Sequence, residues 1–431
     1  MIGKPNYMGW STSYLATLAA PDNTPPFMPG GFAGQTIRQP VRLRRGGTSV
    51  RLVLSNEFGH QPLLIEEVTV GAAVPVLLRG LQKWEILPGE TALSDPVPLP
   101  VQAGDDLIVS CFAAGSAVPA AFLPAVQRTG QVAPGNQADL PELADAERFT
   151  SGYWITRVLT DEPPAGPVIV TLGDSITRGD GTTIDQDQRY PDHLQRRLPP
   201  GAVVLNAGIS GNRVLRPGFG PSMTGRFTRD VLSIPETTHV VIMGGLNDLG
   251  APAVLGGPRP TASELTGGLL SLARRAAEHG IQPVLGTLTP LLASVYESYR
   301  APGNEEIRLA VNQALRSQRD WPVADFAAAV ADPGDPGRLA PAFDSGDGIH
   351  LNDTGAQALA EAVDLTLRKV AEQPGGVRQC RDGWVGASGF RRGRVGVWAA
   401  ASPYDGWSGP HRLSSWRARR RSVGWLADDC R

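Results

Sequence analysis

The 431-residue sequence predicts an α/β fold, a parallel sheet with helices on both faces, preceded by a β-sandwich domain. Three observations predict it. The N-terminal third reads as short apolar alternations broken by Gly, Pro and Asp, the pattern of antiparallel strands. A Pro-rich stretch, Asp161-Glu-Pro-Pro-Ala-Gly-Pro167, then interrupts it, because each proline fixes φ and turns its predecessor away from helix. Beyond that stretch, apolar runs alternate with amphipathic segments, the rhythm of strand followed by helix. The boundaries implied are 1–160 for the sandwich, 161–167 for a linker, 168–373 for the α/β domain and 374–431 for a tail.

Within the sandwich, Ile37, Val41 and Leu43 flank Pro40, and Val50, Leu52 and Leu54 lead into Ser55-Asn-Glu-Phe-Gly59. Leu64, Val68 and Val70 precede Gly71, and Leu107 to Phe112 follow the turn-forming Ala103-Gly-Asp-Asp106. In the α/β domain the strand candidates are Val168 to Leu172, Val203 to Leu205, Val240 to Met243, Val284 to Leu288 and Val323 to Phe326. Helices are expected over Thr261 to His279, with Leu265, Leu269, Leu272 and Ala276 at helical spacing, then Glu305 to Arg319 and Thr354 to Val370. The tail breaks both patterns. It has five Trp, eleven Arg and no sustained apolar period, so it reads as irregular, either a basic tail or a frame-shifted or read-through end.

Composition narrows the function. The apolar fraction of 41% and charged fraction of 19% are those of a globular chain, and no apolar run reaches the roughly 18 residues of a membrane span. Met1 to Asn6 have one Lys and no apolar stretch, so the chain reads as cytoplasmic, or as secreted if a leader was removed. The net charge of −2 hides an asymmetry: before residue 374 there are 29 basic against 38 acidic residues. An acidic body disfavours nucleic acid as partner, since duplex binding relies on Lys and Arg. Cys111, Cys380 and Cys430 are too few for a disulfide framework, and none has metal-ligand spacing with a His, so no metal is expected. Cys111 reads as a buried strand thiol. A Cys380–Cys430 bridge has nothing behind it.

Four blocks carry chemistry, each after a strand, where open α/β sheets bind ligands. Gly173-Asp-Ser-Ile-Thr177 puts Ser175 on the turn after the first strand, a nucleophile's place or a helix N-cap. Asn206-Ala-Gly-Ile-Ser-Gly-Asn212 lets Gly211 offer an unobstructed N–H, or is an ordinary Gly-rich loop. Gly244-Gly-Leu-Asn-Asp248 lets Asn247 aim an amide into the same cleft, or cap a helix. In Asp347-Gly-Ile-His-Leu-Asn352, three-residue spacing lets Asp347 reach one imidazole nitrogen of His350 while the other faces a serine. Of six histidines, His60 lies in a turn, His193 in a surface helix, His239 before a strand, His279 at a helix C-terminus and His411 in the tail. His350 alone has an acid so placed.

These blocks resemble the SGNH, or GDSL, hydrolase family, whose Ser, Gly, Asn and His fall here on Ser175, Gly211, Asn247 and His350. Asp230-Val-Leu232, Thr287-Leu-Thr-Pro290, Ser345-Gly-Asp347, Met8-Gly-Trp10 and Ser55-Asn-Glu-Phe-Gly59 look similar to a subgroup in which a β-sandwich precedes the hydrolase. Such proteins are commonly secreted. The resemblance implies a flavodoxin-like sheet, no cofactor, and a serine esterase acting on a small-molecule or carbohydrate acyl ester. Ser175, His350 and Asp347 would form its triad, and Ser175, Gly211 and Asn247 its oxyanion hole. Asp174 and Asp248 fall to loop architecture. A deacetylase of acetylated sugars is the alternative, and a catalytically silent carbohydrate-binding protein a further one. Oligomeric state, acyl length and alcohol are not legible. No Gly-x-Ser-x-Gly elbow, Gly-x-Gly-x-x-Gly loop or phosphate-binding loop with Lys occurs.

Overall fold

The computed structural model describes residues 8–20 and 31–365. Cys380, Cys430 and the tail lie outside the described residues, as do positions 1–7 and 21–30, and the helix expected over Thr354 to Val370 already ends at Ala362.

Two antiparallel sheets build the N-terminal part. One runs Ser11–Leu15, Ile155–Thr160, Gly47–Ser55, with Thr91–Leu93 and Val97–Val101 both paired to Gly47–Ser55. The other has the order Glu147–Phe149, Gly130–Pro134, Gln35–Arg42, Asp106–Ala113, Glu67–Val70, Val74–Pro75. Successive side chains of a strand point to opposite faces, so Val50, Leu52 and Leu54 enter one interior together. There they join Ile37, Val68, Val109 and Cys111 of the other sheet in a single core. Each such side chain contributes about 1.5–3 kcal/mol by leaving water. Burial also pushes the Cys111 thiol up to about 12, so it stays an inert packing group.

The second half is a five-stranded parallel sheet in the order Val203–Gly208, Val168–Gly173, His239–Met243, Gln282–Gly286, Val323–Ala324. In chain order this is 2-1-3-4-5, the flavodoxin-like arrangement. The chain winds one way from its first strand and the other way from its third, opening a crevice at their carboxyl ends. Val168, Ile169, Val170 and Leu172 are all fully buried, as a strand covered on both faces requires. Ala262–Glu278 starts with a capping box of Thr261 and Glu264, Asn304–Ser317 follows, and Asp353–Ala362 is capped by Asn352.

One expected strand is shorter than its sequence suggests. Val323 to Phe326 reads as a continuous run, but only Val323–Ala324 pairs. Asp325 turns the chain instead, accepting from Thr287 Oγ1 at 2.9 Å and capping the helix Phe326–Val330. The run expected over Val284 to Leu288 likewise stops pairing at Gly286.

Residues 161–167 hold no helix or strand, yet the parts on either side are packed together within one compact unit. Leu15 of the sandwich enters the core of the α/β part. Ala16, Leu18, Ala19, Ala121 and Leu123 form a further cluster with Ile209, just beyond the second parallel strand.

Candidate active site

The first parallel strand ends at Gly173, and the helix Ser175–Arg178 begins at once. Its N-cap is Asp174, whose Oδ1 accepts from the Ile176 N–H at 3.1 Å, so Ser175 itself is not the cap. Ser175 is left as the first helical residue with a nearly buried hydroxyl. His350 Nε2 lies 2.8 Å from Ser175 Oγ, and His350 Nδ1 lies 2.6 Å from Asp347 Oδ2. The carboxylate can only accept, so Nδ1 carries the hydrogen and Nε2 presents a lone pair to the serine hydroxyl.

The Asp347–His350 pair is fixed by its own turn. Asp347 Oδ1 accepts from the backbone N–H of Ile349 at 3.0 Å and of His350 at 2.8 Å. Burial would raise this carboxyl, but the His350 hydrogen bond and charge and these two N–H groups hold it below the usual carboxylate value. It therefore stays an anion able to orient the imidazole and support its cation.

Asn247 is the second residue of the helix Leu246–Gly250, whose N-cap is Gly245 at φ +128°. The capping alternative for Asn247 is thereby removed. Its buried Nδ2 donates to the Asn212 carbonyl at 3.0 Å, and its Oδ1 accepts from the Tyr299 hydroxyl at 2.6 Å. Gly211 turns the chain at φ +69°, and a Cβ there would stand 2.4 Å from the Phe219 ring. Among the described residues its N–H is given no acceptor.

Ser175, Asn247 and His350 line one cleft, with Ile176, Leu246, Ile349 and the rings of Tyr296 and Tyr299 around them. Asp347 reaches it through His350. Gly211 does not line it directly; it is tied to the cleft through the next residue, Asn212, on which the Asn247 amide rests.

Asp174 caps the helix of Ser175 and also lines the cleft. Asp248 holds the loop after the second strand by accepting from Val214 N at 2.7 Å and Leu215 N at 3.0 Å. Burial raises both carboxyls to about 6, against these backbone hydrogen bonds.

Sequence reasoning missed three residues. Tyr299 has no motif spacing that would have found it. Asn212 ends the block that carries Gly211, and its side chain donates to the Phe219 and Pro221 carbonyls at 3.0 and 2.8 Å. Arg226 is fully buried and spans the crevice floor, donating to Gly173 O and Ala207 O, each at 2.8 Å, and to Asn212 Oδ1 at 3.0 Å. Asp230 balances its charge at 2.9 Å, and that i,i+4 spacing was the one visible signal. Among the described residues no group of three or more His, Cys, Asp or Glu could hold a metal ion, and no helix is long and apolar enough to cross a membrane.

Comparison with known proteins finds likenesses over the α/β part. Residues 171–358 match the GDSL-like lipase/acylhydrolase family. An acetylxylan esterase of Xylanibacter ruminicola is 26% identical over 231 residues, covering 50% of this chain and 46% of that protein, so the chain spans about half the length of the curated relative it matches. The native aryl esterase of M. smegmatis superposes with a TM-score of 0.38 at 19% identity, over 46% of this chain and 96% of that one. A carbohydrate acetylesterase family member from Sinorhizobium meliloti gives 0.36 at 21%, over 46% and 95%. The matched segment contains all four blocks that converge on the crevice, and over that segment the chain is similar to the GDSL-like lipase/acylhydrolase family.

Proposed function

We propose that the chain is a serine-dependent hydrolase of carboxylic acyl esters working through an acyl-enzyme. One observation carries the reading: an unbroken hydrogen-bond chain from Asp347 Oδ2 through both imidazole nitrogens of His350 to Ser175 Oγ. In the proposed reaction Ser175 Oγ attacks the ester carbonyl as His350 Nε2 takes its proton. The tetrahedral oxyanion is held by the Asn247 amide and the N–H groups of Ser175 and Gly211. Such donors are typically worth about 3 kcal/mol each. Collapse returns the proton from His350 to the leaving alcohol. Water, deprotonated by the same nitrogen, then attacks the acyl-serine and releases the acid.

The cleft holds only about 20 Å³, little more than a water molecule needs and far below an ordinary small-ligand pocket, which favours a short acyl group. That size and the acetylxylan esterase relative support a second reading, deacetylation of acetylated carbohydrate. The test compares hydrolysis of p-nitrophenyl acetate and octanoate with acetate release from acetylated xylan, using wild type and Ser175→Ala. Ester turnover that disappears in Ser175→Ala is expected, with acetate preferred over octanoate. Failure of the wild type to hydrolyse any activated ester would instead point to a silent binding protein.

A further inference from the structure

We infer that Tyr299 is a positioning residue for the oxyanion donor of the reaction proposed above: by donating its hydroxyl to Asn247 Oδ1 at 2.6 Å, it anchors that amide in the orientation whose nitrogen end serves the cleft. The inference rests on the reading of Asn247 as a donor. The two ends of an amide have nearly the same shape, so something other than packing must choose between them.

One partner makes that choice and a second holds it. Asn212 offers a backbone carbonyl, which can only accept, so the nitrogen end must lie there, at 3.0 Å. The oxygen end then faces Tyr299, whose hydroxyl must donate. One Nδ2 hydrogen is committed to Asn212, and the second remains for a developing oxyanion. A flipped amide would set its oxygen against the Asn212 carbonyl, two acceptors in contact, and would lose the donation from Tyr299, whose hydroxyl could then only accept from the amide nitrogen. Donation into Oδ1 also polarises the amide and strengthens its N–H groups as donors.

Tyr299 is itself held in place. Its ring lies against Gly250, where an added Cβ would come within 2.7 Å of it. Its carbonyl accepts from the fully buried Asn304 Nδ2 at 3.0 Å, which also binds the Ser298 carbonyl at 3.0 Å. Burial raises the phenol above its ordinary value, so the hydroxyl remains a donor wherever an imidazole base would be neutral.

The test is a double-mutant cycle with p-nitrophenyl acetate. Tyr299→Phe should lower kcat about tenfold or more and leave KM within about twofold, because the lost alignment matters only when the oxyanion forms. In an Asn247→Ala background the same substitution should change kcat little, since no amide remains to orient. A residue that merely supports the fold would give the same loss in both backgrounds. Wild-type kcat in folded Tyr299→Phe, or an undiminished loss in the Asn247→Ala background, overturns the inference. Should Tyr299→Phe not fold, 4-aminophenylalanine and 4-fluorophenylalanine at position 299 carry the test. Only the first can donate, so equal kcat in the two would equally overturn it. If Ser175→Ala retains turnover, the nucleophile assignment fails instead. If Ser175→Ala and Asn247→Ala both lose it while Tyr299→Phe does not, this inference alone falls.

Discussion

The two halves of the proposed triad are held in opposite ways. The Asp347–His350 loop is organised by near neighbours: Asp344 Oδ1 accepts from Gly346 N at 2.8 Å and Gly348 N at 3.0 Å, and Ser345 N donates to the His350 carbonyl at 3.1 Å. One longer tie, from Val295 N to the Asp347 carbonyl at 2.8 Å, pins it to the rest of the domain. The Ser175 turn is organised from a distance. Arg226 grips the Gly173 carbonyl just before it. Behind it, the sandwich takes over: Gln127 Nε2 donates to the carbonyls of Gly179 at 2.7 Å and Thr182 at 2.9 Å, and Arg178 of the nucleophile's own helix donates to the Ala125 carbonyl. The proposed base and its orienter are thus a local motif, whereas the position of the proposed nucleophile depends on a part of the chain some 50 residues earlier, as the separation of 52 between Gln127 and Gly179 shows. On this comparison the sandwich is part of the scaffold of the site.

The sharpest break of the local half is Asp347→Asn. Its backbone N–H contacts can survive on the amide oxygen, but the imidazole loses a carboxylate acceptor and the support for its cation. We expect kcat to fall by about 10³-fold or more with Tm little changed. Steady-state kinetics with thermal unfolding checks this; a loss confined to KM would detach Asp347 from the base.

Breaking the distant half should cost less in rate and more in stability. Gln127→Ala takes a donor from two buried carbonyls at about 1–3 kcal/mol and relaxes a residue held at φ +56°. We expect Tm to fall by several degrees and kcat by a few-fold, both measured on the same preparation. Unchanged kcat in a destabilised Gln127→Ala protein would mean that the sandwich steadies the fold without placing the serine.

The smallest effect concerns the cap beneath Ser175. Burial raises the folded Asp174 carboxyl to about 6, above the ordinary carboxylate value of about 3.9. Its contribution to stability is therefore fully present below about pH 4 and is lost as pH rises through about 6. Asp248 acts in the same direction. Asp174→Asn keeps a capping oxygen and lacks the titration, so its Tm relative to wild type should rise between pH 4 and pH 7. A constant difference across that range would mean that the carboxyl does not titrate there.

The comparison also explains what the sequence could reveal. Asp347 and His350 are three residues apart, and their geometry follows from a single turn, so spacing and elimination found them. Strands buried on both faces announce themselves as apolar runs, which made the sheet legible. Val323 to Phe326 misled because an apolar residue after Asp325 fits a strand or a helix start equally well. Tyr299 acts on Asn247 and Gln127 on Gly179, each 52 positions away, and Arg226 acts on Gly173, 53 away, separations at which no period or motif is visible. Their partners are backbone carbonyls or an amide oxygen, which leave no mark on composition. The left-handed turn at Gly211 was read as an open N–H, and the Phe219 ring that makes glycine obligatory there comes from a later loop.

The central claim is that Ser175 is the nucleophile activated by His350. Covalent labelling with a fluorophosphonate, followed by peptide mass mapping of wild type and His350→Ala, tests it most directly. A single label on Ser175, formed at a rate that collapses in His350→Ala, is the predicted result. A label on another serine, or undiminished labelling of Ser175 without His350, would contradict it.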